Sequence, residues 1–129
     1  MPHIHIEYSA NLEKLVDMGA LCEAIRAAAA EMDAFPTPGI RVRATRVDHF
    51  AMADGNPKHA FIDMSVRLRE GRSEDVKKHA IGHIFNALKD FLVPAMASRS
   101  IALSAEMRDI DAELSPKFGN VRDHLEKQP

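Results

Sequence analysis

Residues 60–78 read AFIDMSVRLREGRSEDVKK, and a change of periodicity within this stretch decides the fold. Apolar residues first recur at every second position, which is typical of a strand with one buried face. These residues are Ala60, Ile62, Met64, Val66 and Leu68. Ser73 then provides a helix N-cap, and Glu74 and Asp75 fall in the first turn, where the helix dipole favours carboxylates. The stretch therefore predicts a strand followed directly by a helix.

Helical spacing continues well beyond this start, and a second alternating stretch follows it. The predicted buried stripe of the helix consists of Val76, Ala80, Ile84, Leu88, Phe91 and Leu92. The last strand is predicted from the alternation of Ile101, Leu103, Ala105 and Met107. Residues 114–129 are interpreted as a polar tail, with a short helix as an open alternative.

The first half of the chain follows the same plan. Ile4, Ile6 and Tyr8 alternate with polar residues, which predicts a strand that begins at Pro2. Helical spacing over about 12–35 ends at Pro36-Thr37-Pro38-Gly39. Residues 40–52 are predicted to be extended again, with a bulge or bend where the apolar phase slips at Arg46-Val47. A turn at Asp54-Gly55-Asn56-Pro57 separates the two halves.

The order of these elements predicts an α/β (α+β) fold of two tandem β-α-β units. The units are pseudo-repeats over about 2–54 and 58–110, followed by a tail over 111–129, and all of residues 1–129 is expected to form one domain. Within each unit the two strands should pair in parallel through a right-handed crossover helix. Joining the units gives a four-stranded sheet with both helices on one face. The other face carries polar residues such as Asp63, Ser65 and Arg67, a pattern that leaves a monomer open.

Composition limits the classes of function. The chain has 129 residues, 46% hydrophobic and 28% charged, and a formal net charge of −2, so no strong field attracts nucleic acid or an acidic membrane. Cys22 is the only cysteine, which fits a reducing compartment. The sequence shows neither a secretory signal nor the roughly 18 uncharged apolar residues of a membrane span. We therefore expect a cytoplasmic protein that binds neither nucleic acid nor membranes.

Short motifs, taken in order, resemble a known family. Ile62 through Arg72-Ser73 to Lys77 resembles the beginning of a 4-oxalocrotonate tautomerase unit, a strand-helix-strand chain with a Gly-Arg-Ser turn after its first strand. The chain as a whole resembles the 5-carboxymethyl-2-hydroxymuconate isomerase family of the tautomerase superfamily. The motifs that carry this likeness are Pro2, Met52-Ala53-Asp54-Gly55, Gly71-Arg72-Ser73 and Ser98-Arg99. The likeness weakens after about Asp111.

This resemblance implies a homotrimeric isomerase that works without a cofactor. Its N-terminal proline moves a proton, and arginines hold the carboxylates of a small-molecule substrate. By position, these residues are Pro2, Arg41 in Gly39-Ile40-Arg41-Val42, and Arg72. The implied reaction, an intramolecular oxidoreduction that shifts a C=C bond, converts 5-carboxymethyl-2-hydroxymuconate, a dienol, to its 2-oxo enone isomer in homoprotocatechuate-type aromatic degradation.

The internal repeat gives a check on these assignments. In the small tautomerases the proline and the turn arginine lie ten positions apart within one unit. Ten positions before Arg72 stands Ile62, and ten positions after Pro2 stands Leu12. Each half therefore lacks one of the two groups, and one complete site per chain, or per contact between chains, is expected.

The proposed chemistry requires a free amine at Pro2. Proline within a chain is an amide, so Met1 must be removed before the nitrogen can accept a proton. An unperturbed terminal amine titrates at ~7.7–8, and both nearby arginines and burial disfavour its charged form. The expected result is a base that is partly neutral at pH 7. Arginine suits the substrate carboxylates because its planar fork binds them in a bidentate manner and stays charged.

Other interpretations of these residues stay open. Arg41 or Arg43 is alternatively a solvated partner of acids such as Glu7, and Arg72 a surface residue at a helix start. His3 with His5, and His79 with His83, have the spacing of metal ligands, but no cysteine accompanies either pair and no metal is expected. Cys22 is interpreted as a small core residue. For His49, Phe35 and Phe61, core or interface packing is favoured over a place beside Pro2.

Two other functions also stay open. One is a tautomerase of the same superfamily that acts on a different 2-hydroxydienoate, since fold and base do not determine the substrate. The other is a non-catalytic oligomeric binding protein that keeps the scaffold.

Overall fold

The computed structural model describes residues 2–126, which form four strands and two α-helices. The strands are β1 (His3–Ser9), β2 (Arg41–Val47), β3 (Ala60–Arg69) and β4 (Ile101–Ile110). The helices are α1 (Met18–Ala30), between β1 and β2, and α2 (Glu74–Met96), between β3 and β4. Each half is thus a strand-helix-strand unit, as the sequence predicts.

All four strands join one mixed sheet in the order β2-β1-β3-β4. Within each half the two strands are parallel, with Ile4 opposite Val42 in the first half and Ile62 opposite Leu103 in the second. The halves meet through β1 and β3, which run antiparallel with Ile6 opposite Met64. Two helices and a four-stranded mixed sheet confirm the predicted fold class.

The core lies between the sheet and the two helices, which also pack against each other. Leu21 and Ile25 of α1 are fully buried, and α2 contributes a fully buried row at every fourth position. That row is Ala80, Ile84, Leu88 and Leu92. The predicted stripe is wrong at its first position, because Val76, in the first turn of α2, is 42% exposed. Phe91 is half-buried at the edge of the stripe.

Two predicted boundaries in the first half are also wrong. The helix begins at Met18 rather than near Leu12, because the Asp17 side chain accepts a hydrogen bond from the Ala20 N–H at 2.9 Å and caps it. The residues Ala10–Leu12 form a separate 3-10 turn. No bulge interrupts β2, whose pairing with β1 stays in register until the strand ends at Val47. The slip of the apolar phase marks that end.

The remaining segments are turns and a returning tail. Between the halves, the Asn56 N–H donates to the Asp54 carboxylate at 3.0 Å within the predicted turn, and the Gly55 N–H donates to the Met52 carbonyl at 2.7 Å. The tail after β4 contains one 3-10 turn, Val121–His124, rather than an α-helix, and residues 127–129 of the predicted tail lie outside the described part. Within residues 2–126 no helix is long and apolar enough to cross a membrane. The extent of the domain over 1–129 stays a prediction.

The packing of α2 gives a matched pair of stability tests. Leu88→Ala removes a fully buried side chain and leaves a cavity, so the free energy of unfolding should fall by about 3 kcal/mol. Val93→Ala, on the 61% exposed side of the same helix, should change it by less than about 0.5 kcal/mol. Urea unfolding followed by circular dichroism measures both. Equal effects of the two substitutions would contradict this assignment of the core.

Candidate active site

The candidate site lies where the start of β1 meets the start of β2 and the end of β3. His3 stands opposite Arg41 of the parallel strand β2 and opposite Arg67 of the antiparallel strand β3. Pro2, just before β1, is buried, and its carbonyl accepts a hydrogen bond from the Arg41 N–H at 3.3 Å. The sheet register thus brings Pro2 and Arg41 side by side.

Arg72 reaches the same end of the sheet through the turn that follows β3. Gly71 has a φ of +110°, a conformation that side-chain-bearing residues rarely adopt, and this reverses the chain after Arg69. The Arg72 Nη1 donates a hydrogen bond to the Arg69 carbonyl at 3.0 Å. The Ser73 hydroxyl accepts from the Val76 N–H at 3.2 Å and begins α2, as predicted. The cap and the glycine together fix where the arginine leaves the backbone.

A cleft of about 1030 Å³ opens at this end of the sheet, and six of its 17 described lining residues are cationic. These cations are Arg41, Arg67, Arg69, Arg72, Lys117 and Arg122. Among the described lining residues there is no carboxylate, although acidic residues outnumber basic ones in the chain by 19 to 17. Within residues 2–126 none of the six takes part in an ion pair. The cleft is suited to an anionic ligand.

Of the predicted site residues, Arg41 and Arg72 both line the cleft, while Pro2 lies beside it through its contact with Arg41. Sequence reasoning missed the other four cations. Arg67 and Arg69 lie two positions apart on the polar face of β3, so their spacing already indicated that both side chains leave the same face of the sheet. Lys117 and Arg122 lie in the tail, where no periodicity indicates that the chain returns to the sheet.

The tail forms one wall of the cleft. Its first turn is organised by Asp111, whose carboxylate accepts hydrogen bonds from the N–H groups of Glu113 and Leu114 at 2.8 and 3.1 Å. The later turn Val121–His124 lies against the 3-10 turn Thr37–Gly39, which directly precedes β2. The tail therefore connects the end of β4 to the start of β2 across the cleft.

Comparison with known proteins decides the family. The sequence profile of the family described as 5-carboxymethyl-2-hydroxymuconate isomerase matches residues 2–125. The chain belongs to this family. It is 33% identical over 121 residues to the 5-carboxymethyl-2-hydroxymuconate Delta-isomerase of Escherichia coli, a match that spans 94% of this chain and 96% of that enzyme. The chain is therefore an isomerase, as the resemblance implies.

Solved structures agree with this assignment. A 5-carboxymethyl-2-hydroxymuconate isomerase from Deinococcus radiodurans R1 superposes with a TM-score of 0.89 at 32% identity, over 98% of this chain and 95% of that one. A fused 4-OT described as a symmetric trimer superposes with a TM-score of 0.63 at 18% identity, over 84% of this chain and 85% of that one. The second likeness shows a shared tautomerase fold.

His3 of the isomerase faces the cleft and is perturbed by it. Burial, followed by the positive charges of Arg41 and Arg67, lowers the pKa of His3 below its ordinary value of 6.5. The neutral form of the imidazole beside Pro2 is thus favoured. Because the folded state binds this proton less well than the unfolded state, the contribution of His3 to stability is complete above about pH 6.5 and is lost as the pH falls through the lowered pKa.

The other histidines named as metal candidates have other contacts. The His5 Nε2 lies 2.9 Å from the Thr45 Oγ1, and the His83 Nε2 lies 3.4 Å from the Glu31 Oε1. His79 is exposed on α2. Among the residues that the structure describes, no three His, Cys, Asp or Glu side chains gather in a metal-binding arrangement.

The remaining candidates lie away from the cleft. Cys22 of the isomerase packs against the core, and burial raises the pKa of its thiol. Phe35 is 2% exposed in the core, and Phe61 contacts Phe50 edge to face at 5.8 Å between ring centroids. Neither phenylalanine nor His49 is found among the described lining residues. Core packing is therefore confirmed for Phe35.

The electrostatics of the cleft can be measured at His3. In a titration followed by NMR, His3 should show a pKa below 6.5, and Arg41→Gln should raise it towards the ordinary value. Burial, the larger cause, remains in this variant, so the recovery should be partial. Arg46→Gln is the matched control, because Arg46 lies on the same strand, pairs with Asp48 at 2.8 Å and does not contribute to the His3 shift. A His3 that titrates above 6.5 would contradict a cationic cleft.

Proposed function

We propose that this isomerase converts 5-carboxymethyl-2-hydroxymuconate to its 2-oxo enone isomer, with Pro2 as the base and Arg41 and Arg72 as carboxylate ligands. The observation that carries the proposal is the cationic cleft beside Pro2, which holds six Lys and Arg side chains and no described carboxylate. The family and the name of the Escherichia coli relative support the same substrate. Homoprotocatechuate-type aromatic degradation is the matching metabolic setting.

The reaction is a proton transfer that leaves the composition of the molecule unchanged. The O–H bond at C2 of the dienol breaks and a C–H bond forms at C5. The C2=C3 and C4=C5 double bonds become a C2=O and a C3=C4 double bond. One base that accepts the proton and then returns it is sufficient, so the proposal needs no cofactor.

Pro2 is suited to act as this base once Met1, which lies outside the described residues, has been removed. Its nitrogen then becomes a secondary amine at the very start of β1, where the protein already buries Pro2. Burial and the guanidinium of the adjacent Arg41 both disfavour a protonated ammonium. A neutral amine near pH 7 can take the hydroxyl proton and deliver it to carbon.

The arginines are suited to bind the substrate and to stabilise charge that develops on it. As the hydroxyl loses its proton, negative charge appears on the oxygen at C2 and spreads along the diene. A guanidinium that lies close to this oxygen lowers the barrier, and one that binds a carboxylate fixes the substrate in place. Arg72 is the more restrained of the two, through its bond to the Arg69 carbonyl.

Assembly and location belong to the same proposal. We infer a homotrimer, supported by the structural likeness to the fused 4-OT, which is a symmetric trimer. The polar face of the sheet and its two edge strands, β2 and β4, are available for such contacts. A cytoplasmic location fits a chain with a single cysteine.

The role of Pro2 is tested with two forms of the chain, one that begins at Pro2 and one that keeps Met1. Loss of the dienol absorbance should be slower with the Met1 form by about 10²–10⁴-fold in kcat, since its nitrogen is an amide. For the form that begins at Pro2, kcat/KM should rise with pH to a plateau, with a midpoint below ~7.7.

Mass spectrometry establishes which form is present, and equal thermal unfolding midpoints control for folding. Pro2→Ala, which keeps a terminal amine but loses the ring, should lie between the two forms. Equal kcat values for the two main forms would exclude Pro2 as the base. A panel of 2-hydroxydienoates separates the proposed substrate from the alternative in which the enzyme acts on a relative of it.

The carboxylate ligands are tested by Arg41→Gln and Arg72→Gln. Each substitution removes a charge-assisted contact, worth about 1.5–3 kcal/mol, so kcat/KM should fall by roughly 10–100-fold. Arg46→Gln serves again as the matched control on β2, because it removes the same charge outside the cleft. A loss in this control as large as in the two variants would show that only net charge matters.

A further inference from the structure

Two cations of the cleft come from the tail rather than from the sheet. Lys117 and Arg122 line the same cleft as the arginines that the sheet elements carry, and both are exposed. Neither has an ion-pair partner among residues 2–126. An anion bound in the cleft could therefore pair with both charges.

The tail is held in this position by contacts at both of its ends. Asp111 closes its first turn through two backbone N–H groups, and Ser115 donates a hydrogen bond to the Asp111 carbonyl. The turn Val121–His124 rests on Thr37–Gly39. Lys117 and Arg122 lie between or within these two anchored turns, so the cleft has a defined second wall.

The proposed substrate carries three carboxylates, one more than 2-hydroxymuconate. The reacting atoms and the 2-hydroxy acid end must lie near Pro2, at the sheet end of the cleft. The carboxymethyl arm branches from C5, outside the line of atoms along which the double bonds shift. A third carboxylate on this arm needs a cation that is separate from the ligands of the 2-hydroxy acid end.

We propose that Lys117 and Arg122 form a carboxylate subsite for the carboxymethyl arm, so that the tail determines specificity for tricarboxylate over dicarboxylate dienols. This inference rests on the proposed function. The subsite binds the substrate and does not move the proton. Loss of the subsite should therefore raise KM and leave kcat nearly unchanged, because the subsite contacts the arm equally before and during proton transfer.

The test compares the parent enzyme with the double variant K117Q/R122Q on two dienols. With 5-carboxymethyl-2-hydroxymuconate the KM of the variant should rise by about ten-fold, an effect of the size expected for two exposed ion pairs. With 2-hydroxymuconate, which lacks the arm, its KM should change by less than about two-fold. The charge-preserving variant K117R/R122K should keep the KM of the parent for both dienols within about three-fold.

The matched control is K14Q/R26Q. It also removes one lysine and one arginine, but both are exposed on or near α1 and neither lines the cleft. This control should leave both KM values unchanged. If K117Q/R122Q raises KM equally for both dienols, or changes neither KM value, the tail does not bind the carboxymethyl arm and the inference is wrong.

A binding measurement separates this inference from the proposed function. Isothermal titration calorimetry compares the affinity for propane-1,2,3-tricarboxylate with that for glutarate, which has two carboxylates. The parent should favour the tricarboxylate, and K117Q/R122Q should lose this preference. Preserved discrimination in the binding assay without turnover of either dienol would contradict the proposed function and support the subsite. Turnover of both dienols, with no preference of the parent for the tricarboxylate in the binding assay, would support the proposed function and contradict the subsite.

Discussion

The antiparallel pairing of β1 with β3 is the constraint on which the rest of the structure depends. Because the two strands run in opposite directions, the first residues of β1 lie against the last residues of β3, with His3 opposite Arg67. The parallel partner β2 starts at the same end, with Arg41 opposite His3. A shift by one residue would turn each of these side chains to the other face and bury the arginines among core residues.

This arrangement brings several positive charges close together, and these charges repel one another. Six cations line one cleft without described carboxylates between them, and burial together with the charges of Arg41 and Arg67 lowers the pKa of the neighbouring His3. The cleft is exposed to solvent, which screens the repulsion, and the buried core behind it supplies the stability. An anion bound in this cleft would reduce the repulsion between the cations.

The sequence predicted features that depend on the residues of a single element, but it did not predict contacts between elements that are far apart in the chain. Alternation at Ile62 and Met64 and the cap at Ser73 correspond to local physics, and both agree with the structure. The sequence also predicted parallel pairs within each half, because a crossover helix permits little else. The pairing that joins the halves has no local signal. The return of the tail is equally hidden, since Lys117 and Arg122 look like solvated charges in a polar segment.

The pairing of the halves also explains why one chain needs both of them. Pro2 starts the first half and Arg72 follows the first strand of the second, so neither half alone holds both groups. In an antiparallel pair of first strands, the start of one necessarily lies beside the end of the other, and the turn after β3 therefore lies at the same end of the sheet as Pro2. The duplicated plan persists in the fold, while the proposed chemistry is needed only once.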